Sequence, residues 1–157
     1  MKSLILSFFI FIIFMSQPGY AEGDRFGLFI VSRPDTNIQQ VEVDKNPIIT
    51  EKDIVEYHWK THTIILSEEG LSKFPSGNKY FGKPFIIVAD GHRCYMGAFW
   101  SKILSANYSR PVIDITSKTK IIRIEQAYPT AKFAKGDDPR NNQFIYKVFS
   151  DLGKLKK

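Results

Sequence analysis

Residues Phe85-Ile86-Ile87-Val88-Ala89-Asp90-Gly91-His92-Arg93-Cys94-Tyr95-Met96 form an apolar run, a two-residue turn and a second run of mixed character. Asp-Gly readily adopts the positive φ angles of a type I′ turn, whose twist matches that of two paired strands. The stretch therefore predicts a β-hairpin. A two-residue loop also predicts its register. Ala89 faces His92, Ile87 faces Cys94 and Phe85 faces Met96 on one side. Val88 faces Arg93 and Ile86 faces Tyr95 on the other.

Working outward from the hairpin, Phe26 to Val31 reads as a strand that ends at Arg33-Pro34-Asp35. Thr50 and Asp53 have capping-box spacing, and Ile49 and Ile54 that of a hydrophobic staple, so a short helix or turn opens at Thr50. Thr61 to Leu66 is rich in β-branched residues and reads as a strand. Ser67 caps a helix with Glu68 and Glu69 in its first turn, and Pro75 and Gly77 end it near Phe74. Pro111 to Ile115 and Lys120 to Gln126 read as two more strands around a Ser117-Lys118-Thr119 turn. In the second, Ile122 and Ile124 point inward while Arg123 and Glu125 point out.

The chain ends in a helix. Asp137-Asp138 caps it, Pro139 fits its first turn, and Phe144, Ile145, Val148, Phe149 and Leu152 form its apolar stripe before Gly153 closes it. The expected fold is α+β: a mainly antiparallel sheet of four to five strands, two to three helices, and the C-terminal helix packed on the sheet.

The N-terminus carries a different signal. Lys2 precedes an apolar run from Leu4 to Met15, then the polar Ser16-Gln17-Pro18, with small residues at Gly19 and Ala21. This is the pattern of a secretory signal peptide over residues 1–21, leaving 22–157 as a single α+β domain. The run is shorter than the roughly 20 apolar residues of a membrane span. No second apolar run follows, so no transmembrane segment is expected after cleavage.

The chain has 157 residues and a net charge of +6, part of it in Lys154, Lys156 and Lys157 at the end. There is no basic stripe of the kind nucleic-acid binders carry, so no nucleic acid is expected as partner. Cys94 is the only cysteine, which rules out an internal disulfide. Small secreted eukaryotic domains usually depend on disulfides. The compartment expected is therefore bacterial, either periplasmic or secreted.

Chemistry-bearing residues are few. His58 and His62 would share a helix face as metal ligands do, but on a strand they would lie roughly 13 Å apart. His92 and Cys94 share one face of the hairpin, where two ligands or a thiolate–imidazole pair would need them. The predicted register instead puts Cys94 among apolar side chains. Asp90 makes a turn, Asp137 and Asp138 cap a helix, and Asp114 lies in a strand. None of the common hydrolase, metalloprotease, P-loop or dinucleotide motifs occurs. No metal or cofactor is expected. Aromatic residues are more prominent. Tyr95, Phe99 and Trp100 follow the turn, Tyr108 comes soon after, and Tyr57 and Trp59 lie upstream. Such rings anchor binding surfaces, and they also fill the cores of small domains.

One stretch resembles a known family. His62-Thr63-Ile64-Ile65-Leu66, then Ser67-Glu68-Glu69-Gly70, Gly82-Lys83, Phe85 to Ala89 and Asp90-Gly91 reproduce the order of features in the periplasmic head subdomain of SecD, part of the bacterial protein-export machinery. The resemblance spans Thr61 to Ile103 and is shared with small exported bacterial proteins that carry this module alone. Tyr95 to Ser101 departs from it. The resemblance implies an α+β module that works in the periplasm by contact rather than catalysis, and it carries over no catalytic residue. The function expected is a non-enzymatic binding module with Tyr95, Phe99, Trp100 and Tyr108 at its contact surface and an envelope or secreted protein as partner. The alternative is a small envelope hydrolase using His92, Cys94 or His62 near the 90–91 turn.

Overall fold

The computed structural model describes residues 23–157, so the expected leader over 1–21 lies outside the described residues. The strands are β1 (Phe26–Arg33), β2 (Glu42–Val43), β3 (Ile49–Thr50), β4 (Ile54–His58), β5 (Thr63–Leu66), β6 (Pro84–Ala89), β7 (His92–Trp100), β8 (Val112–Asp114), β9 (Ile121–Glu125) and β10 (Leu155–Lys156). The α-helices are α1 (Glu68–Lys73) and α2 (Gln143–Asp151). The strands join in one sheet in the order β10-β4-β5-β9-β8-β7-β6-β1-β2, with β3 also on β1. Most pairs are antiparallel, but β7 with β8 and β10 with β4 run parallel. No helix among the described residues is long and apolar enough to cross a membrane.

β6 and β7 form the hairpin around Asp90 and Gly91, whose φ angles of 46° and 77° are those of a I′ turn. The register starts as the turn dictates, with Ala89 opposite His92 and Val88 opposite Arg93, and then slips. Ile87 pairs with Tyr95, Ile86 with Met96 and Phe85 with Gly97. Cys94 is thus the extra residue of a β-bulge. The bulge reverses the parity of everything after it. Tyr95, Gly97 and Phe99 turn to the main core, while Met96, Ala98 and Trp100 turn to the opposite face. Gly97 allows the close packing there, since a Cβ would sit 2.4 Å from both the Phe85 ring and the Pro111 carbonyl.

The sheet is strongly curled. β1 and β4 are six strand spacings apart along it, roughly 29 Å if it were flat, at about 4.8 Å per spacing. Yet Phe26 of β1 and Tyr57 of β4 both pack on Phe149 of α2, with ring centroids 5.0 and 4.7 Å away. Only a sheet wound around the helix permits this. The seam is tied by polar contacts as well. Glu51 Oε2 accepts from the backbone N–H groups of Arg25 (3.1 Å) and Phe26 (2.9 Å). Lys154 Nζ donates to the carbonyls of Glu51 and Ile54, at 2.6 Å each. Inside lies one core drawn from β1, β3 to β9 and α2, in which Ile145, Val148 and Phe149 are fully buried.

The expected mainly antiparallel sheet of four to five strands with two to three helices is therefore corrected. Among the described residues the sheet is mixed and holds ten strands, and of the two α-helices only α2 exceeds two turns. The discrepancy has identifiable sources. Thr50 does cap a turn, with Asp53 closing the box, but that turn is a single 3₁₀ turn, and Ile54 leaves it extended to begin β4. β2, β3 and β10 have two residues each, too few to show a periodicity, and exist because a distant strand pairs with them. The terminal helix also starts later than Asp137-Asp138 implies. Asn142 caps it by accepting from Phe144 N–H at 2.9 Å, because the Asp138 carboxylate is already bound by Arg140. Leu152 falls beyond the helix and is exposed.

If the Phe149 contact closes the sheet, Phe149→Ala will destabilise the fold by about 3–5 kcal/mol, the usual cost of deleting a buried ring. The check is the midpoint of urea unfolding. A loss below about 1 kcal/mol would show that the seam closes without it.

Candidate functional site

Two places gather side chains with chemistry: the interior end of the core, and a groove on the opposite face of β7, β8 and β9.

The interior cluster begins at β4. Tyr57 OH lies 3.2 Å from His62 Nδ1, with both residues buried. His62 occupies the β4–β5 turn with φ 49°. Burial, reinforced by the nearby Arg140 charge, lowers its pKa to about 4, so the imidazole is neutral at physiological pH. Arg140 holds Asp138 through Nε (2.8 Å) and Nη2 (2.6 Å), and donates from Nη1 to the Ile124 carbonyl at 2.7 Å. Burial opposes ionisation of Asp138, but the Arg140 bonds and charge outweigh it, and its pKa falls below the usual carboxylate range. Tyr95 completes the cluster. Its hydroxyl is buried without a hydrogen-bond partner among the described residues, and burial pushes its pKa well up.

This arrangement supports packing more than catalysis. Cys94 is half-buried, burial pushes its thiol up to about 12, and its Sγ donates to the His92 carbonyl rather than to an imidazole. His92 is exposed, stacks on Phe144 at 3.7 Å, and bonds through Nδ1 to the Asp90 carbonyl. His62 is committed to Tyr57. The three residues named for a hydrolase thus form no nucleophile–base pair. His58 bonds Glu56 at 2.9 Å, apart from His62, and no cluster of three metal-ligating side chains occurs among the described residues. A hollow of about 290 Å³ is lined by Cys94, Tyr95 and Met96 among others. That lies at the lower edge of the range of roughly 300–1,000 Å³ that small-molecule sites occupy.

The groove is larger, about 670 Å³. Its walls are the outward residues of three adjacent strands and their loops: Trp100 and Lys102, Val112 and Asp114, and Ile121, Arg123 and Glu125, with Tyr128 and Pro129 along one side. Trp100 is the floor. It is only 8 % exposed, and packs against Tyr108 (5.1 Å) and Tyr128 (5.9 Å). Those two tyrosines bridge the loops that carry them, exchanging backbone bonds of 3.0 and 2.9 Å. The Trp100 indole N–H is buried with no acceptor among the described residues. The rim is braced by Ser101 and Thr116, whose hydroxyls lie 3.0 Å apart, and by Asp114 Oδ1, which accepts from Thr116 N–H (2.8 Å) and Oγ1 (2.6 Å).

The aromatic residues expected to form one surface are therefore divided by strand alternation, and the bulge decides which of them face the core. Tyr95 and Phe99 are core side chains. Phe99 has no exposure and packs against Phe74, Tyr80 and Phe85. A contact surface containing them is corrected on that ground. Trp100 and Tyr108 lie together on the other face, joined by Tyr128, Ile121 and Arg123, which sequence reasoning did not name as site residues. The outward parity expected for Arg123 and Glu125 was the available signal, since it marks which face of β9 the groove uses. No family model, curated protein or solved structure matches this chain.

Two measurements test the interior. Because the folded His62 holds its proton less tightly than the unfolded chain does, stability is intact above pH 6.5 and falls as pH drops from 6.5 towards about 4. Urea midpoints at pH 7 and pH 5 will show the loss, and His62→Gln will remove part of that difference; an unchanged pH dependence in the variant would assign the acid sensitivity elsewhere. Cys94 will react with a thiol reagent slowly in the native protein and rapidly in denaturant, and fast native labelling would restore it as a nucleophile candidate.

Proposed function

We propose that this chain is an exported binding protein, periplasmic or secreted, that acts by contact rather than catalysis, through the groove over Trp100. The single observation that carries the reading is the groove itself, a hollow of about 670 Å³ with an aromatic floor, set on three hydrogen-bonded strands. Its volume falls within the range of ligand sites, and a site built on strands is held more rigidly than one built on loops. Further support comes from the leader pattern of residues 1–21, from the SecD-head pattern over Thr61 to Ile103, and from the absence of a nucleophile–base pair among His62, His92 and Cys94.

A photo-crosslinking amino acid at Ile121, which is 60 % exposed in the groove, tests the reading in the full chain produced in its host. Discrete adducts with envelope or secreted components are expected from position 121 and not from Val55, which is exposed on β4. Identical products from both positions, or none from either, would defeat the proposal.

A further inference from the structure

We infer that two loops flanking the groove, residues 101–110 and 126–135, form a docking surface for an anionic phospholipid bilayer. The inference is independent of what the groove holds. These loops carry Lys102, Arg110, Lys132 and Lys135 and no acidic residue. All four cations are exposed. Of the four, only Lys102 reaches a carboxylate among the described residues, that of Asp114 at 3.6 Å. Asp137 shares a hollow with Arg110 and Lys135 but forms an ion pair with neither. The same loops bear bulky apolar side chains. Ile103, at 71 %, is the most exposed large hydrophobic among the described residues, and Phe133 is 42 % exposed. Lys102-Ile103 and Lys132-Phe133 thus each set a cation beside an exposed apolar side chain. The other large exposed hydrophobics lack this setting. Val55 precedes Glu56, Leu152 follows Asp151, and Ile121 shares the groove with Asp114 and Glu125.

Hydrogen bonds tie the two loops into one platform. Tyr108 and Tyr128 exchange backbone bonds of 3.0 and 2.9 Å, the Tyr128 hydroxyl donates to the Lys102 carbonyl at 3.2 Å, and Lys135 N–H donates to the Ser109 carbonyl at 3.4 Å. Leu104 packs with Trp100 and Val112 and leaves its neighbour Ile103 outside. Phe133 ends a 3₁₀ turn, Ala131–Phe133, and borders one hollow with Lys102 and Leu104, the residues on either side of Ile103. The occupant follows from this chemistry. A purely ionic partner would leave both apolar side chains in water, and a purely apolar one would leave the cations without counter-charges. A folded protein would need a complementary cavity for a side chain that stands out as Ile103 does. The headgroup layer of a bilayer takes such a side chain without one, while lipid phosphates meet the flanking cations.

The test titrates the protein, isolated from its host in its natural form, with sucrose-loaded vesicles of phosphatidylcholine alone or with about one-quarter phosphatidylglycerol, and sediments the bound fraction. Affinity for the anionic vesicles is expected to be about ten-fold or more the higher, and to fall steeply between about 0.05 M and about 0.5 M salt. Variants are first shown to unfold at the parent's urea midpoint. Lys132→Glu with Lys135→Glu is expected to weaken binding by about ten-fold or more, and Ile103→Ser with Phe133→Ser by about five-fold or more. Lys45→Glu with Lys79→Glu, the same change of charge at two exposed lysines outside these loops, is expected to weaken it by less than about two-fold. A Phe133→Trp variant is expected to gain emission that brominated lipid quenches, and a Val55→Trp variant is not. Equal affinity for both vesicles, no binding, loop variants no weaker than the Lys45/Lys79 control, or equal quenching at positions 133 and 55 overturns the inference. So does a loss confined to the Lys132/Lys135 variant, which would assign the loops to an acidic protein or another soluble polyanion.

Discussion

Phe149 lies 4.7 Å from Tyr57 on β4 and 5.0 Å from Phe26 on β1, and so joins two strands that the hydrogen-bond order of the sheet would hold far apart. Everything else follows from that closure. With the sheet wound around α2, a single core can take side chains from nearly every strand, and short strands suffice because each is covered on its inner face. The seam needs polar ties as well as apolar ones, because backbone groups at the ends of β1 and β4 must find partners when they leave the ladder. Glu51 and Lys154 supply them, and so link the Glu51–Ile54 segment to the start of β1 and to the residue before β10.

Closure also gives the sheet a distinct outer face, and the proposed groove belongs to it. On β7 the choice between faces is made at Cys94. Without the bulge, Tyr95 would share a face with Ile86 and Val88; with it, Tyr95 and Phe99 enter the core and Trp100 is delivered to the outer face beside Val112. What Cys94 contributes to the fold is thus backbone geometry. Loops 101–110 and 126–135 then meet over Trp100 through the Tyr108–Tyr128 bridge, and the groove is the space they leave above β8 and β9.

The titratable residues of the interior are accounted for by the same architecture. Tyr57 and His62 satisfy each other inside the core, and Arg140 anchors the segment before α2 to β9 through Asp138 and the Ile124 carbonyl. Asp138 was expected as a helix cap. Its capture by Arg140 moves the cap to Asn142 and shortens the helix.

Local pattern alone determined the Asp-Gly turn, the alternation of β9, the Ser67 cap of α1 and the apolar stripe from Phe144 to Phe149, because each is written within a few neighbouring residues. It did not determine β2, β3 or β10, two-residue strands that exist through their pairing with β1 or β4, nor where the turn at Thr50 gives way to β4. Nor did it determine which aromatic rings are outside. An inserted residue at Cys94 costs one pairing step and moves every later side chain to the other face, and no local preference in Arg93-Cys94-Tyr95 announces it. The bulge is held by what β7 meets: Arg93 donates to the Ile38 and Val41 carbonyls on the outer face while Tyr95 fills the core opposite Ile87. The groove was therefore legible only as a set of aromatic residues. Its location was decided by tertiary structure, because packing on both faces of β7 set the register that strand periodicity by itself leaves open.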